Sequence, residues 1–211
     1  MSNTLITFCG DDALRLYVPD RATRFTRARQ LEASGYWAEV VPGRRDITVQ
    51  FDPHAHTPDE AMQILTSALR APLQHGQETA QTVTIPVQFG GEEGPALASI
   101  AANLNLTEGE VVARLVEHPL EVDMLGFTPG FAYMSGLTDD LEIPRLAQPR
   151  QQVPGGSIGL ITGQCGLYAL PGPGGWPIIG RTALSLFDGR AEQPFRLQPG
   201  MRVTLVDAGS P

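Results

Sequence analysis

Leu14, Leu16 and Val18 alternate with Arg15 and Tyr17, the period-two pattern of a strand with one buried face. An apolar run at 4–8 (TLITF) lies across the turn Gly10-Asp11-Asp12. The opening therefore predicts two short strands, 4–8 and 13–18. The period then lengthens: residues 21–34 suit a helix that Gly35 would stop. YWAEVV (36–41) and DITVQF (46–51) flank Pro42-Gly43-Arg44-Arg45 and predict a hairpin. Thr57-Pro58-Asp59-Glu60 is a capping box with proline at the first helical position. Ala61, Ile64, Leu65, Ala68 and Leu69 then recur at helical spacing and define one apolar face. If TVTIPV at 82–87 supplies a closing strand, the order is that of the split βαβ, ferredoxin-like sandwich. Residues 71–81 (APLQHGQETAQ) read as a linker, and His75 within it has no evident role.

Residues 94–117 have the outline of a helix-turn-helix, with Thr107 and Glu110 forming a second capping box. The second helix carries Glu108, Glu110 and Glu117 against Arg114 alone. DNA binding depends on neutralising phosphates, so a structural helical hairpin is the better reading and nucleic acid is not an expected partner. From residue 121 onward, EVDMLGF, SIGLITG, GLYAL, WPIIGRT and RVTLVDAG are short apolar runs separated by Gly or Pro, as in a small barrel or sandwich. The expected class is α+β: a small N-terminal domain over 1–80, then a mostly β domain over 81–211 with a helical insertion.

Composition narrows the chemistry. The 211 residues carry a net charge of −8, and all fifteen cations are arginine. Without lysine there is no Walker A phosphate loop and no Schiff-base nucleophile. Positive charge at any site must come from guanidinium groups, which suit carboxylates and phosphates. Cys9 and Cys165 stand far apart without metal-type spacing, as expected of reduced thiols in a cytoplasmic protein. No apolar run reaches the ~20 residues of a membrane span, and the N-terminus lacks the basic region of a secretory signal. Asp52, His54 and His56 invite a metal hypothesis. With no further strong ligand nearby, a polar turn before a capped helix is preferred, and no metal site is assigned.

Gly126 to Phe187 is dense in Gly and Pro yet holds aromatics and three arginines. Such a stretch reads as strands joined by shaped loops, facing something small. Arg145 and Arg150 each follow a proline that stiffens the backbone, and Arg181 follows Gly180. These three are the candidate catalytic cations; the alternative is that they pair with surface carboxylates. Gly155-Gly156-Ser157 could form a nest of backbone N–H groups facing an oxyanion, or simply a tight turn. Phe127, Pro129, Phe131, Tyr133, Tyr168 and Trp176 are candidate walls for a substrate, although each could instead be core. Gln164 and Tyr168 could orient an amide or carboxylate. No histidine lies in the stretch and Ser157 is not in a G-x-S-x-G elbow, so a serine hydrolase is not expected.

Taken in order, Gly126-Phe127-Thr128-Pro129-Gly130-Phe131-Ala132-Tyr133, Pro144-Arg145, Pro149-Arg150, Val153-Pro154-Gly155-Gly156-Ser157 and Gly174-Gly175-Trp176 with Ile179-Gly180-Arg181-Thr182 resemble the family of 5-oxoprolinase B subunits, also called allophanate hydrolase subunit 1 or Kip inhibitor-like. Gly10-Asp11-Asp12-Ala13-Leu14 and Ile85-Pro86-Val87 fit as well, so the resemblance spans nearly the whole chain. It implies an α+β N-terminal domain and a cyclophilin-like barrel, without implying prolyl isomerase activity. It implies two partners, the C subunit (KipA-like) and the A subunit of 5-oxoprolinase. It also implies ATP, with magnesium accompanying the nucleotide. The implied reaction converts 5-oxoproline, ATP and water to glutamate, ADP and phosphate. Two other implied roles stay open: inhibition of a sensor histidine kinase, and processing of urea- or allophanate-like amides. The chain departs from the family pattern at Leu115, where a histidine is usual, and at Cys165, where Thr or Ser is common.

Overall fold

The structure is a computed structural model that describes residues 5–73, 81–137 and 141–209. Most of the anticipated linker, residues 74–80 with His75, lies outside the described residues. The chain divides into two compact units, Met1–Thr79 and Ala80–Pro211.

The first unit contains β1 (Ile6–Phe8), β2 (Ala13–Tyr17), α1 (Arg21–Ala33), β3 (Glu39–Pro42), β4 (Asp46–Gln50) and α2 (Pro58–Arg70). The sheet is antiparallel in the order β1-β2-β4-β3. Leu14, Leu16, Ile47 and Val49 point to one face and pack with Ala28, Leu31, Ala61 and Leu65 of the helices, as period-two and helical spacings require. This is the ferredoxin-like arrangement, with one correction. The strand at 82–87 does not close this sheet; β1 occupies the edge beside β2 instead. Asp52 organises a turn, its carboxylate accepting from the His54 N–H at 2.9 Å, while the His56 ring packs on Tyr36 at 4.7 Å. Thr57 and Glu60 form the anticipated reciprocal cap on α2.

Arg27 fastens the two helices. It is buried, and its guanidinium donates to the carbonyls of Ala68 (3.3 Å) and Ala71 (3.2 Å) at the open C-terminal end of α2. Carbonyls at a helix end lack partners further along the helix, and the helix dipole favours a cation there. Arg27→Met keeps the apolar stem but leaves the Ala71 carbonyl without its guanidinium donor and Ala68 with only the Ala71 N–H, so it is expected to cost about 2–3 kcal/mol, read as a lower thermal midpoint for this unit.

The second unit runs β5 (Thr82–Phe89), α3 (Leu97–Asn103), α4 (Glu108–Glu117), β6 (Leu120–Leu125), β7 (Ala132–Ser135), β8 (Arg150–Val153), β9 (Ser157–Ile161), β10 (Gln164–Leu167), β11 (Gly172–Gly174), β12 (Ile178–Arg181) and β13 (Arg202–Asp207). Seven strands close a barrel in the order β10-β7-β6-β13-β5-β12-β9, and β8 and β11 form a separate two-stranded ribbon. The pairing of β5 with β13 is parallel; the other barrel pairs are antiparallel. The barrel interior is filled by Ile85, Val87, Leu120, Val122, Met134, Ile158, Leu160, Leu167, Val203 and Leu205. The helical hairpin α3–α4 adds Ile100, Val111 and Leu115 to the same core, so it is structural. Thr107 and Glu110 cap α4 as predicted. The fold is α+β with a cyclophilin-like closed barrel. Among the described residues no helix is long and apolar enough to cross a membrane.

Candidate functional site

Apolar side chains fill the barrel core, and the predicted site residues gather on the outside of its wall. Strand register aligns Tyr133 (β7), Gly166 (β10), Gly159 (β9) and Ile178 (β12) in one row across the sheet. The neighbouring row, Met134, Cys165 and Leu160, points inward. The two glycines form a trough, and Trp176 lies in it. A Cβ on Gly166 would come within 2.7 Å of the indole and 2.8 Å of the Phe131 ring; one on Gly159 would come within 2.9 Å of Trp176 Cβ. These strand glycines mark a close approach, as expected where a large ring lies flat against backbone.

Around the indole the aromatics interlock. Phe131 packs edge-on against Tyr133 (4.7 Å), Tyr168 (4.8 Å) and Trp176 (6.1 Å), the arrangement that ring quadrupoles favour. The ribbon covers this layer: Val153 of β8 is fully buried against it, and Gly174 of β11 backs directly onto the Tyr168 phenol. Burial pushes the Tyr168 phenol above its ordinary pKa, and the neighbouring Tyr133 adds to this against Arg145 and the Trp176 amide. Tyr133 is raised by burial too, opposed by Arg145. Both are therefore neutral hydrogen-bonding phenols at physiological pH.

Phe131, Tyr168 and Trp176 are only 2, 2 and 4% exposed. Of the two readings the sequence offers for them, wall or core, burial fits core: they form the interior of a layer whose upper surface is what solvent reaches. That surface presents half-buried Tyr133, exposed Phe127 and Pro129, and exposed Arg145. The Arg145 guanidinium lies over the Trp176 ring, 5.6 Å from its centroid. Pro144 precedes it, and a bond from Leu146 N–H to the Gly175 carbonyl (2.8 Å) holds the segment down. Arg150 opens β8 opposite Gly174. Among the described residues neither arginine forms an ion pair.

Arg181 behaves differently. Its Nη1 contacts both carboxylate oxygens of Glu93, at 3.0 and 3.3 Å, so the alternative reading, pairing with a carboxylate, describes it. The sequence does not point to Glu93 as its partner. The proposed nest is also corrected: the Gly156 N–H donates to the Tyr168 carbonyl and the Ser157 N–H to that of Pro154. Half-buried Gly155 completes this tight turn, whose Gly156 and Ser157 N–H groups are consumed by strand joining. Ser157 and Gln164 are buried at the starts of β9 and β10. Cys165 is buried in the core, its thiol pushed up to about 12, which makes it inert rather than nucleophilic. Leu115, which stands where a histidine is usual, is core as well. A cavity of about 650 Å³ is lined by Gln81, Phe187, Asp188, Phe195, Arg196 and Met201 among others, and none of the predicted site residues lines it. Arg145 and Arg150 are exposed side chains.

Residues 4–197 match the family model described as "Carboxyltransferase domain, subdomain C and D", which sets the class. The chain is 40% identical over 171 residues to the 5-oxoprolinase B subunit of Escherichia coli O157:H7, covering 80% of this chain and 77% of that one. Among solved structures, TTHA0988 superposes with a TM-score of 0.80 at 28% identity; the match covers 98% of this chain but only 41% of TTHA0988. Kluyveromyces lactis urea carboxylase shares the fold at TM-score 0.76 and 16% identity, covering 98% of this chain and 22% of that enzyme. Within the carboxyltransferase-domain class, the chain belongs to the family of 5-oxoprolinase B subunits.

Proposed function

We propose that this chain works as part of an ATP-dependent 5-oxoprolinase, active only in complex, and that it supplies one wall of a site completed by the C subunit. The A subunit would complete ring opening, in the cytoplasm. The observation that carries this reading is Arg145, fixed over Trp176 on an open aromatic surface. A small ligand held only there would remain half solvated, and binding sites ordinarily enclose most of a ligand. A second polypeptide laid over the surface would turn it into a pocket.

A lactam carbonyl is a poor electrophile, and phosphorylating its oxygen creates a good leaving group. Arg145 and Arg150 would grip the substrate carboxylate and the transferring phosphoryl group, for which planar guanidinium donors are suited. Tyr133, a neutral phenol at the rim, would donate a hydrogen bond to the substrate. Such groups act by stabilising charge as it develops. Arg181 would contribute indirectly, since Glu93 already neutralises it. Among the described residues no three His, Cys, Asp or Glu side chains cluster as a metal site. Magnesium would accompany the nucleotide, held largely by its phosphates and waters.

The test is reconstitution. Mixed with its A and C partners, the chain is expected to release phosphate only when ATP and 5-oxoproline are both present. Equal release with urea in place of 5-oxoproline, or none with any amide, rules the assignment out.

A further inference from the structure

Phe127 is out of place twice over. It is 60% exposed, and its backbone adopts φ +67°, the left-handed region that bulky side chains avoid. The Thr128 N–H donates to the Gly126 carbonyl at 2.8 Å. That i to i+2 bond with positive φ at the centre defines the rare, strained form of the γ-turn, with Phe127 at its apex. The turn is pinned by bonds from Phe131 N–H to the Thr128 carbonyl (3.0 Å) and from Gly126 N–H to the Phe131 carbonyl (3.1 Å). Beneath it, the Thr128 hydroxyl is buried with no partner among the described residues. Several unfavourable features thus converge on one turn, and they persist only because the surroundings over-determine them. Their result is a phenyl ring held outward, touching the aromatic layer only edge-on, at 5.5 Å from Phe131.

A ring serving a small ligand would line a concavity. This one projects from a rigid tip beside the arginine surface, the form of an anchor that enters a partner's pocket. We infer that Phe127 inserts into an apolar socket on the second polypeptide that covers this surface, and so sets where that wall sits over Arg145. The inference rests on the proposed assembly with the C subunit. A second copy of this chain is the weaker occupant, because each copy carries a net charge of −8, which opposes self-association.

The test measures association, not turnover: titration calorimetry of the chain with the C subunit, without ATP or 5-oxoproline, alongside thermal unfolding of the free chain. Phe127→Gly is expected to weaken Kd at least tenfold while leaving the free chain's Tm unchanged or raised, since glycine accepts this φ without strain. Phe8→Ser, at another exposed phenylalanine (54%) in the first unit, is expected to leave Kd unchanged. A wild-type Kd from Phe127→Gly, or an equal loss from Phe8→Ser, overturns the anchor while the functional assignment stands. Failure of the wild-type chain to bind the C subunit overturns both. Sedimentation showing a Phe127-dependent dimer of the chain alone assigns the ring to self-association and overturns the inference.

Discussion

Arg145→Ala is expected to lower kcat/KM for 5-oxoproline in the reconstituted complex by about a hundredfold or more, and Arg145→Lys to recover little of it. Two charge-assisted hydrogen bonds to an anion contribute roughly 1.5–3 kcal/mol each, and every 1.4 kcal/mol is a factor of ten. The lysine variant discriminates, because an ammonium retains the charge but not the planar, forked donors. Arg145 is exposed, so the Tm of the isolated chain should hardly move. A kcat/KM within threefold of wild type in the alanine variant would take this residue out of the chemistry. A matching fall in Tm would mean that the guanidinium mainly holds the aromatic layer together.

Gly156→Ala should be severely damaging to the second unit. Gly156 has φ +84°, and an added Cβ would overlap the Thr182 carbonyl oxygen and press on Arg181 Cγ at 3.4 Å. The Gly156 N–H and C=O are both bonded, to the Tyr168 carbonyl and the Thr182 N–H. The backbone therefore cannot retreat without breaking the seam between β9 and β12. The expected cost is about 4 kcal/mol or more, seen as insoluble protein or a Tm lowered by about 10 °C or more. Gly163→Ala is the control: its φ is +71° but nothing lies within 4 Å of the added atom. It should cost only about 1 kcal/mol of left-handed strain. Equal losses at the two sites would mean that backbone angle, not the close approach, governs.

Local rules made much of the chain legible. Both capping boxes, the hairpin around Pro42-Gly43 and the apolar stripe of α2 are written in spacings of three or four residues, and the structure honours them. Partners distant in the chain were not legible. An alternating strand at 82–87 states that it pairs, not with which sheet. Glu93 and Arg181 are 88 residues apart, and nothing local joins them. The aromatics and glycines of the central stretch did signal a special site, but composition could not say that Gly159 and Gly166 make room for Trp176. Strand register settles that, because period two puts both glycines on the outer face. The ribbon carries no such signal, because β11 is only Gly172–Gly174 and β8 is largely polar.

The parallel seam between β5 and β13 bears on how the molecule is made. It joins Thr82 to Arg202 and Val87 to Asp207, positions about 120 residues apart, so closing it carries a large loop-entropy cost that must be met before the contacts form. During synthesis β5 emerges early and must wait, with one long edge unpaired, until β13 leaves the ribosome. Val87, whose carbonyl accepts from the Ala208 N–H, faces β13 while Pro86 faces the other side, so the proline leaves the donors of the waiting edge intact and that edge stays competent to pair throughout the interval.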